Sequence, residues 1–190
     1  MDPKINIDLI IDGCLDGNPL SEKRLFDMHY NFVMSIVYRY TKNRVEAEEI
    51  LNDTFYKVFK YLKSFNKEFP FTSWLNKITI NACISYYKKH LKDFSTVDIE
   101  LVPSSALRAH VEESVSLGEK YLMIIKQLPP AYRTVFNLYV FEDYKHSEIA
   151  ELLHINIGTS KSNFKRAKDK VKEMLENLNS NNTSNDIADG

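Results

Sequence analysis

Apolar residues recur along this chain with the period of an α-helix, and each such run predicts one element. Leu25, Phe26, His29, Phe32, Val33, Ile36, Val37 and Tyr40 follow the i, i+3, i+4, i+7 spacing and predict a helix over about Glu22–Thr41. Ala47, Ile50, Leu51, Thr54, Phe55, Val58, Phe59 and Leu62 repeat it over about Arg44–Lys63. The stretch Phe65–Phe71, with Asn66 and Pro70, interrupts the pattern. A third helix follows over about Thr72–His90, with Thr72 or Ser73 as its N-cap and a buried face that includes Leu75, Ile78, Ile80, Ala82, Cys83 and Tyr86. With a short helix near Ile5–Leu15, these form an N-terminal bundle over residues 1–92.

From 93 to 117 the periodicity dissolves into Ser, Thr, Val, Asp and Pro103, which reads as a linker. A second domain spans 118–178. Tyr121, Leu122, Ile124, Ile125 and Leu128 mark a helix stopped by Pro129-Pro130, and Ala131–Phe141 a second that the proline pair opens. Glu148–Leu153 is a short amphipathic helix, His154–Gly158 a tight connection, and Thr159–Leu178 a longer basic helix capped by Thr159. Residues 179–190, rich in Asn and Ser, lack apolar side chains to bury and read as a disordered tail. The fold class is all-α: two small helical domains joined by a flexible linker, the C-terminal one a helix-turn-helix.

Composition supports that class, because 5 Gly and 6 Pro in 190 residues leave few hairpin turns. No stretch approaches the roughly 18 apolar residues of a membrane span. The start of the chain carries Asp2 and Asp8 where a signal peptide is basic, which predicts a cytoplasmic protein. Cys14 and Cys83 stand apart and read as reduced thiols, Cys83 in the core, and the five histidines are scattered, so neither a metal nor another cofactor is expected. Phosphate-cradling and nucleophile motifs (GxxxxGK[ST], GxGxxG, GxSxG, HExxH) do not occur, so neither an enzyme nor a small-molecule substrate is expected.

The net charge of −1 at first counts against a nucleic-acid partner. It is a cancellation. Residues 61–92 hold six basic side chains against one acidic, and residues 158–178 six against three, while 1–60 and 93–157 are acidic in balance. Two basic blocks separated by acidic sequence suit two DNA-contacting modules. In the C-terminal block, Ser160, Lys161, Ser162, Asn163, Lys165, Arg166 and Lys168 crowd the start and one side of the last helix, while Phe164, Ala167, Val171 and Leu175 form its inward stripe. That is the layout of a recognition helix braced by the helix before it. Two positions depart from the ideal: His154 occupies a turn site that favours Gly, and Lys145 stands where a capping Ser or Thr is expected.

From Leu25 to Leu178 the chain resembles the extracytoplasmic function (ECF) group of the sigma-70 family of RNA polymerase sigma factors. Leu128-Pro129-Pro130-x-Tyr132-Arg133-x-Val135-Phe136, Glu148-Ile149-Ala150 and Gly158-Thr159-x-Lys161-Ser162-x-x-x-Arg166-Ala167 resemble that family's region 4. Parts of this are shared with other helix-turn-helix regulators. Glu46-Ala47-Glu48-Glu49-Ile50-Leu51-Asn52-Asp53-Thr54-Phe55 is similar to the polymerase-gripping helix of region 2, and Phe71-Thr72-Ser73-Trp74-Leu75-x-x-Ile78-x-x-Asn81 to its promoter-reading segment.

The resemblance implies a sigma factor that binds core RNA polymerase and directs promoter-specific initiation, with promoter DNA and an anti-sigma factor, often membrane-bound, as further partners. Glu46, Glu48, Glu49, Asn52 and Asp53 are then the polymerase-binding set, carboxylates suited to a basic coiled coil, with Asn52 a shorter amide where the family has Gln. Lys67, Phe69, Thr72 and Trp74 combine stacking surfaces with a cation for unpaired −10 bases, although Trp74 also fits the packing stripe. Asn81, Ser85, Lys88 and Lys89 lie on one helix face that tracks duplex; Ser85 and Lys88 stand where Asp and Arg are common, and Lys lacks the planar fork of Arg. Thr159, Lys161, Ser162, Asn163, Lys165 and Arg166 face the −35 element, with Arg133 on a phosphate. The rival readings are a two-domain regulator that does not bind polymerase and a helical adaptor or enzyme without a DNA role.

Overall fold

The computed structural model describes residues 6–91 and 117–185, with side-chain surroundings through 178. The described residues form eight α-helices and one 3₁₀ turn, with no strand. The chain divides into two compact units, Met1–Tyr86 and Tyr87–Gly190. The expected linker lies almost wholly outside the described residues.

In the first unit, α1 (Ile7–Leu15) is opened by the Asn6 carboxamide, which accepts the Asp8 N–H at 3.0 Å. Gly17, at φ 75°, turns the chain into α2 (Pro19–Tyr40). This helix starts three residues before the expected Glu22, because the start is set by polar chemistry that an apolar stripe does not report. The Asn18 side chain accepts the Leu20 and Ser21 N–H groups, and Pro19 supplies a preset φ at the first position. A Cβ at Gly13 would lie 2.2 Å from Ser21 Oγ, so glycine permits α1 to lie this close to α2.

Asn43 caps α3 (Arg44–Tyr61), which passes into the 3₁₀ turn Leu62–Ser64. Then α4 runs Phe71–Lys89. Neither Thr72 nor Ser73 caps it: the Pro70 carbonyl accepts the Ser73 and Trp74 N–H groups, which places both hydroxyl residues inside the first turn. Burial of Phe71 among His29, Phe65 and Trp74 pulls the start forward. Leu25, Val33 and Val37 of α2, Ala47, Ile50 and Val58 of α3, and Leu75, Ile80 and Cys83 of α4 are buried; Ile78 and Tyr86 are half-buried.

The second unit contains α5 (Leu117–Gln127), α6 (Pro130–Val140), α7 (His146–Leu153) and α8 (Ile157–Asn185). Pro130 occupies the first position of α6. Half of a capping box opens α7: the Glu148 carboxylate accepts the Lys145 N–H at 2.7 Å, and Lys145 has no acceptor to return. His154 closes α7 in the left-handed region at φ 55°, ψ 44°, and the Ile155 N–H reaches back to the Ala150 carbonyl.

The turn ends earlier than expected, and Thr159 is not the cap of α8. Asn156 is: its Oδ1 accepts the Thr159 N–H at 2.7 Å and the Thr159 hydroxyl at 3.0 Å. At the other end, α8 continues through Asn185 rather than stopping at Leu178, since each added residue gains one backbone hydrogen bond without a new nucleus. The rest of the expected tail, 186–190, lies outside the described residues. Removing the cap with Asn156→Ala should lower stability by about 1 kcal/mol and Thr159→Ala by less, measured by urea unfolding; equal losses would return the cap to Thr159.

Candidate nucleic-acid interface

The inner side of α8 is fixed by packing. Ala167 is buried against Leu128 and Tyr132, with Ala131, Phe136 and Val171 around them. Phe164 lies against Phe136, Tyr139 and His146, with ring centroids 6.1, 4.4 and 5.6 Å away. Ser160 is fully buried, its hydroxyl 3.0 Å from His146 Nδ1. With that side turned in, Lys161, Ser162, Lys165, Arg166 and Lys168 are exposed and Thr159 and Asn163 half-buried. Thr159 is engaged with Asn156, and the Ser162 hydroxyl donates to the Thr159 carbonyl at 3.0 Å. Arg166 Nη1 donates to the Tyr132 hydroxyl at 3.2 Å, its guanidinium carbon 6.0 Å from that ring.

Arg133 is not at this surface. It is 3% exposed, and Nη1 donates to the Lys126 carbonyl at 2.8 Å, satisfying an end carbonyl of α5 across the Pro129-Pro130 corner. A phosphate cannot reach a guanidinium so covered.

In the first unit the structure brings Phe65, Phe71 and Trp74 into one aromatic cluster, with Trp74 ring centroids 5.3 and 5.6 Å from the other two. Trp74 is therefore half-buried, packed on that cluster with part of its surface open. Phe69 is 64% exposed, and Thr72 is exposed. Lys67 forms an ion pair with Asp12 of α1, a partner that no local spacing could indicate. On α4, Asn81, Ser85 and Lys89 are exposed and Lys88 half-buried; the Ser85 hydroxyl donates to the Asn81 carbonyl at 2.8 Å.

The acidic helix α3 splits its five candidate residues. Glu46 is the capping partner of this helix start, accepting the Lys42 N–H at 2.8 Å and the Asn43 amide at 3.0 Å. Glu48 pairs with Arg44 and Asp53 with Lys57, each at 2.6 Å. Glu49 and Asn52 are exposed. The same line holds two residues absent from the expected set, Val45 at 77% and Tyr56 at 64% exposure. The signal for them was present in the sequence: apolar residues falling off the buried stripe of an otherwise regular helix.

No group of three or more His, Cys, Asp or Glu that could hold a metal occurs among the described residues. Both cysteines are buried, and neither forms a disulfide. Burial, and then the Glu22 carboxylate, push the Cys14 thiol up to about 11, which leaves it protonated and unreactive near neutral pH.

Residues 25–92 match the family described as sigma-70 region 2, and residues 118–171 the one described as sigma-70, region 4. The chain belongs to the sigma-70 family, in its ECF group. This ECF chain is 26% identical over 165 residues to the ECF RNA polymerase sigma factor SigW of Bacillus subtilis, covering 81% of itself and 88% of that relative. To SigM of the same organism it is 27% identical over 155 residues, covering 78% and 93%. The RpoE sigma factor solved with the anti-sigma factor NepR from Bartonella quintana is similar at a TM-score of 0.48 and 22% identity, over 81% of this chain and 96% of that one.

The His146 ring packs behind the exposed cations of α8, against Phe164 and Ser160. Burial, and then the Lys161 ammonium, hold His146 below the ordinary imidazole value of 6.5. Between the folded and ordinary values the unfolded chain binds the extra proton, so the stability contributed by neutral His146 is complete above 6.5 and is lost as pH falls through that window. The thermal midpoint of the wild-type chain should therefore fall relative to His146→Gln between about pH 7 and about pH 5.5; a constant difference would show that the ring does not titrate differently on folding.

Proposed function

We propose that this ECF sigma factor docks on core RNA polymerase through the exposed line Val45, Glu49, Asn52 and Tyr56 of α3 and reads the −35 element with the start of α8. The observation that carries the reading is the exposed Lys161, Lys165 and Arg166 face standing on the side formed by buried Ser160 and Ala167 and half-buried Phe164, in one chain with a region 2 match. Asn163 and Ser162 add amide and hydroxyl groups at the same end. Phe69 and Thr72 contact unpaired −10 bases, with Trp74 backing them from the aromatic cluster. Asn81, Ser85, Lys88 and Lys89 follow the adjoining duplex. Lys67 joins them by exchanging Asp12 for a phosphate, which is inexpensive because an exposed pair contributes about 0–1 kcal/mol. Glu48 and Asp53 can exchange their helix-internal partners for polymerase cations in the same way.

The roles divide by domain, 1–92 for polymerase and the −10 element, 118–178 for the −35 element, with 93–117 linking them. The chain acts in the cytoplasm by binding, without a catalytic step, and an anti-sigma factor covering these surfaces would hold it inactive. No helix among the described residues is long and apolar enough to cross a membrane.

Purified chain mixed with bacterial core polymerase should form a complex and support promoter-dependent initiation. Lys161→Ala with Arg166→Ala should keep the complex and lose −35-dependent initiation, while Glu49→Lys with Tyr56→Ala should weaken the complex itself. DNA binding with no polymerase complex would establish the two-domain regulator instead.

A further inference from the structure

Arg166 is exposed, yet one of its donors is already placed. Its Nη1 donates to the hydroxyl of Tyr132, and its guanidinium lies 6.0 Å from the centre of the same ring. Tyr132 is buried in the cluster with Leu128 and Ala167, and Ala167 is the residue next to Arg166, so the platform cannot follow the arginine if it swings. A buried phenol needs a hydrogen-bond partner, and for the Tyr132 hydroxyl that partner is the arginine. No carboxylate forms an ion pair with Arg166 among the described residues, so its charge remains available. Of the five guanidinium donors, four remain after the bond to tyrosine.

The position on α8 decides what those donors meet. Lys161 is in the second turn, and Arg166 lies about 7.5 Å farther along the axis. When the first turns enter a groove about 12 Å wide, a side chain that far along and drawn sideways onto α6 is at the groove wall, where the phosphates run. We infer that Tyr132 is a positioning residue for Arg166, holding its guanidinium as a preformed clamp for one backbone phosphate at the edge of the groove that receives α8. The phosphate contact expected of Arg133 on α6 thus falls to Arg166 on α8. An arginine fixed before binding loses less rotamer freedom on contact than a free one, and the fork matches a phosphate bidentately. The inference rests on the reading of α8 as the −35 helix.

The test uses the chain assembled with core polymerase and, as probe, a labelled duplex selected by the wild-type complex from a library randomised over the −35 position. Tyr132→Phe keeps the ring and removes only the hydroxyl; it should weaken binding about fivefold, the scale of one hydrogen bond. Placed in an Arg166→Ala background, the same change should do nothing further. The slope of log affinity against log salt should fall by about one for Arg166→Ala and shift toward that value for Tyr132→Phe. Unchanged binding by Tyr132→Phe while Arg166→Ala weakens it overturns the inference and leaves the α8 reading intact. Equal weakening by Tyr132→Phe with and without Arg166 assigns the tyrosine to the core alone and also overturns it. If Arg166→Ala and Lys161→Ala both bind as wild type, the α8 reading falls and the inference with it.

Discussion

Everything the second unit offers to a partner depends on which side of α8 is buried. A rotation of one residue turns a helix by 100°, which would drive Lys161 or Lys168 inward and expose Ala167. Ser160 and Ala167, both without exposed surface, leave no room for that rotation. Phe164 adds a lock, lying between the α6 rings Phe136 and Tyr139 and the α7 ring His146. The sharp reversal at His154 brings α7 and α8 together, and it places a non-glycine residue in the left-handed region at a cost of about 1–2 kcal/mol. That strain is held by the packing on either side of it.

The near-neutral charge acquires a structural meaning through the pairing of charges. On α3 the acidic side chains are largely engaged within their own helix: Glu46 at the cap, Glu48 with Arg44, Asp53 with Lys57. On the first turns of α8 no ion pair ties down Lys161, Lys165 or Lys168 among the described residues; a pair appears only at Lys172 and Glu176. A chain with 25 basic and 26 acidic side chains can therefore still present a locally unpaired cationic surface. The balance also implies weak DNA affinity for the free chain, so promoter contact gains from polymerase holding two weak contacts together.

The helices were legible because burial imposes a period, and the stripes from Leu25 to Tyr40 and from Ala47 to Leu62 left one register that hides them. Helix ends were less legible. Asn18, Asn43 and Asn156 fix three starts through local side-chain hydrogen bonds that leave no periodic trace, and Phe71 moves a fourth by being buried. The candidate surface followed the same division. The outward cations of α8 could be read from the inward Phe164 and Ala167, whereas Arg133 was misplaced because a motif states that an arginine is present and not whether a proline corner covers it. The Asp12 partner of Lys67, 55 residues away, depends on tertiary folding alone. Val45 and Tyr56 were visible as apolar residues off the stripe, but only their exposure shows them beside Glu49 and Asn52.

The central claim is that one chain carries two separate promoter-reading surfaces, one at the start of α8 and one at the loop before α4. Photocrosslinking from a benzoylphenylalanine introduced at Asn163 and, in a second protein, at Phe69 tests it most directly, with both assembled on core polymerase and the same promoter. Position 163 should label duplex near −35, and position 69 the unpaired strand near −10. Labelling of one common DNA segment from both positions, or none from position 163, would contradict it.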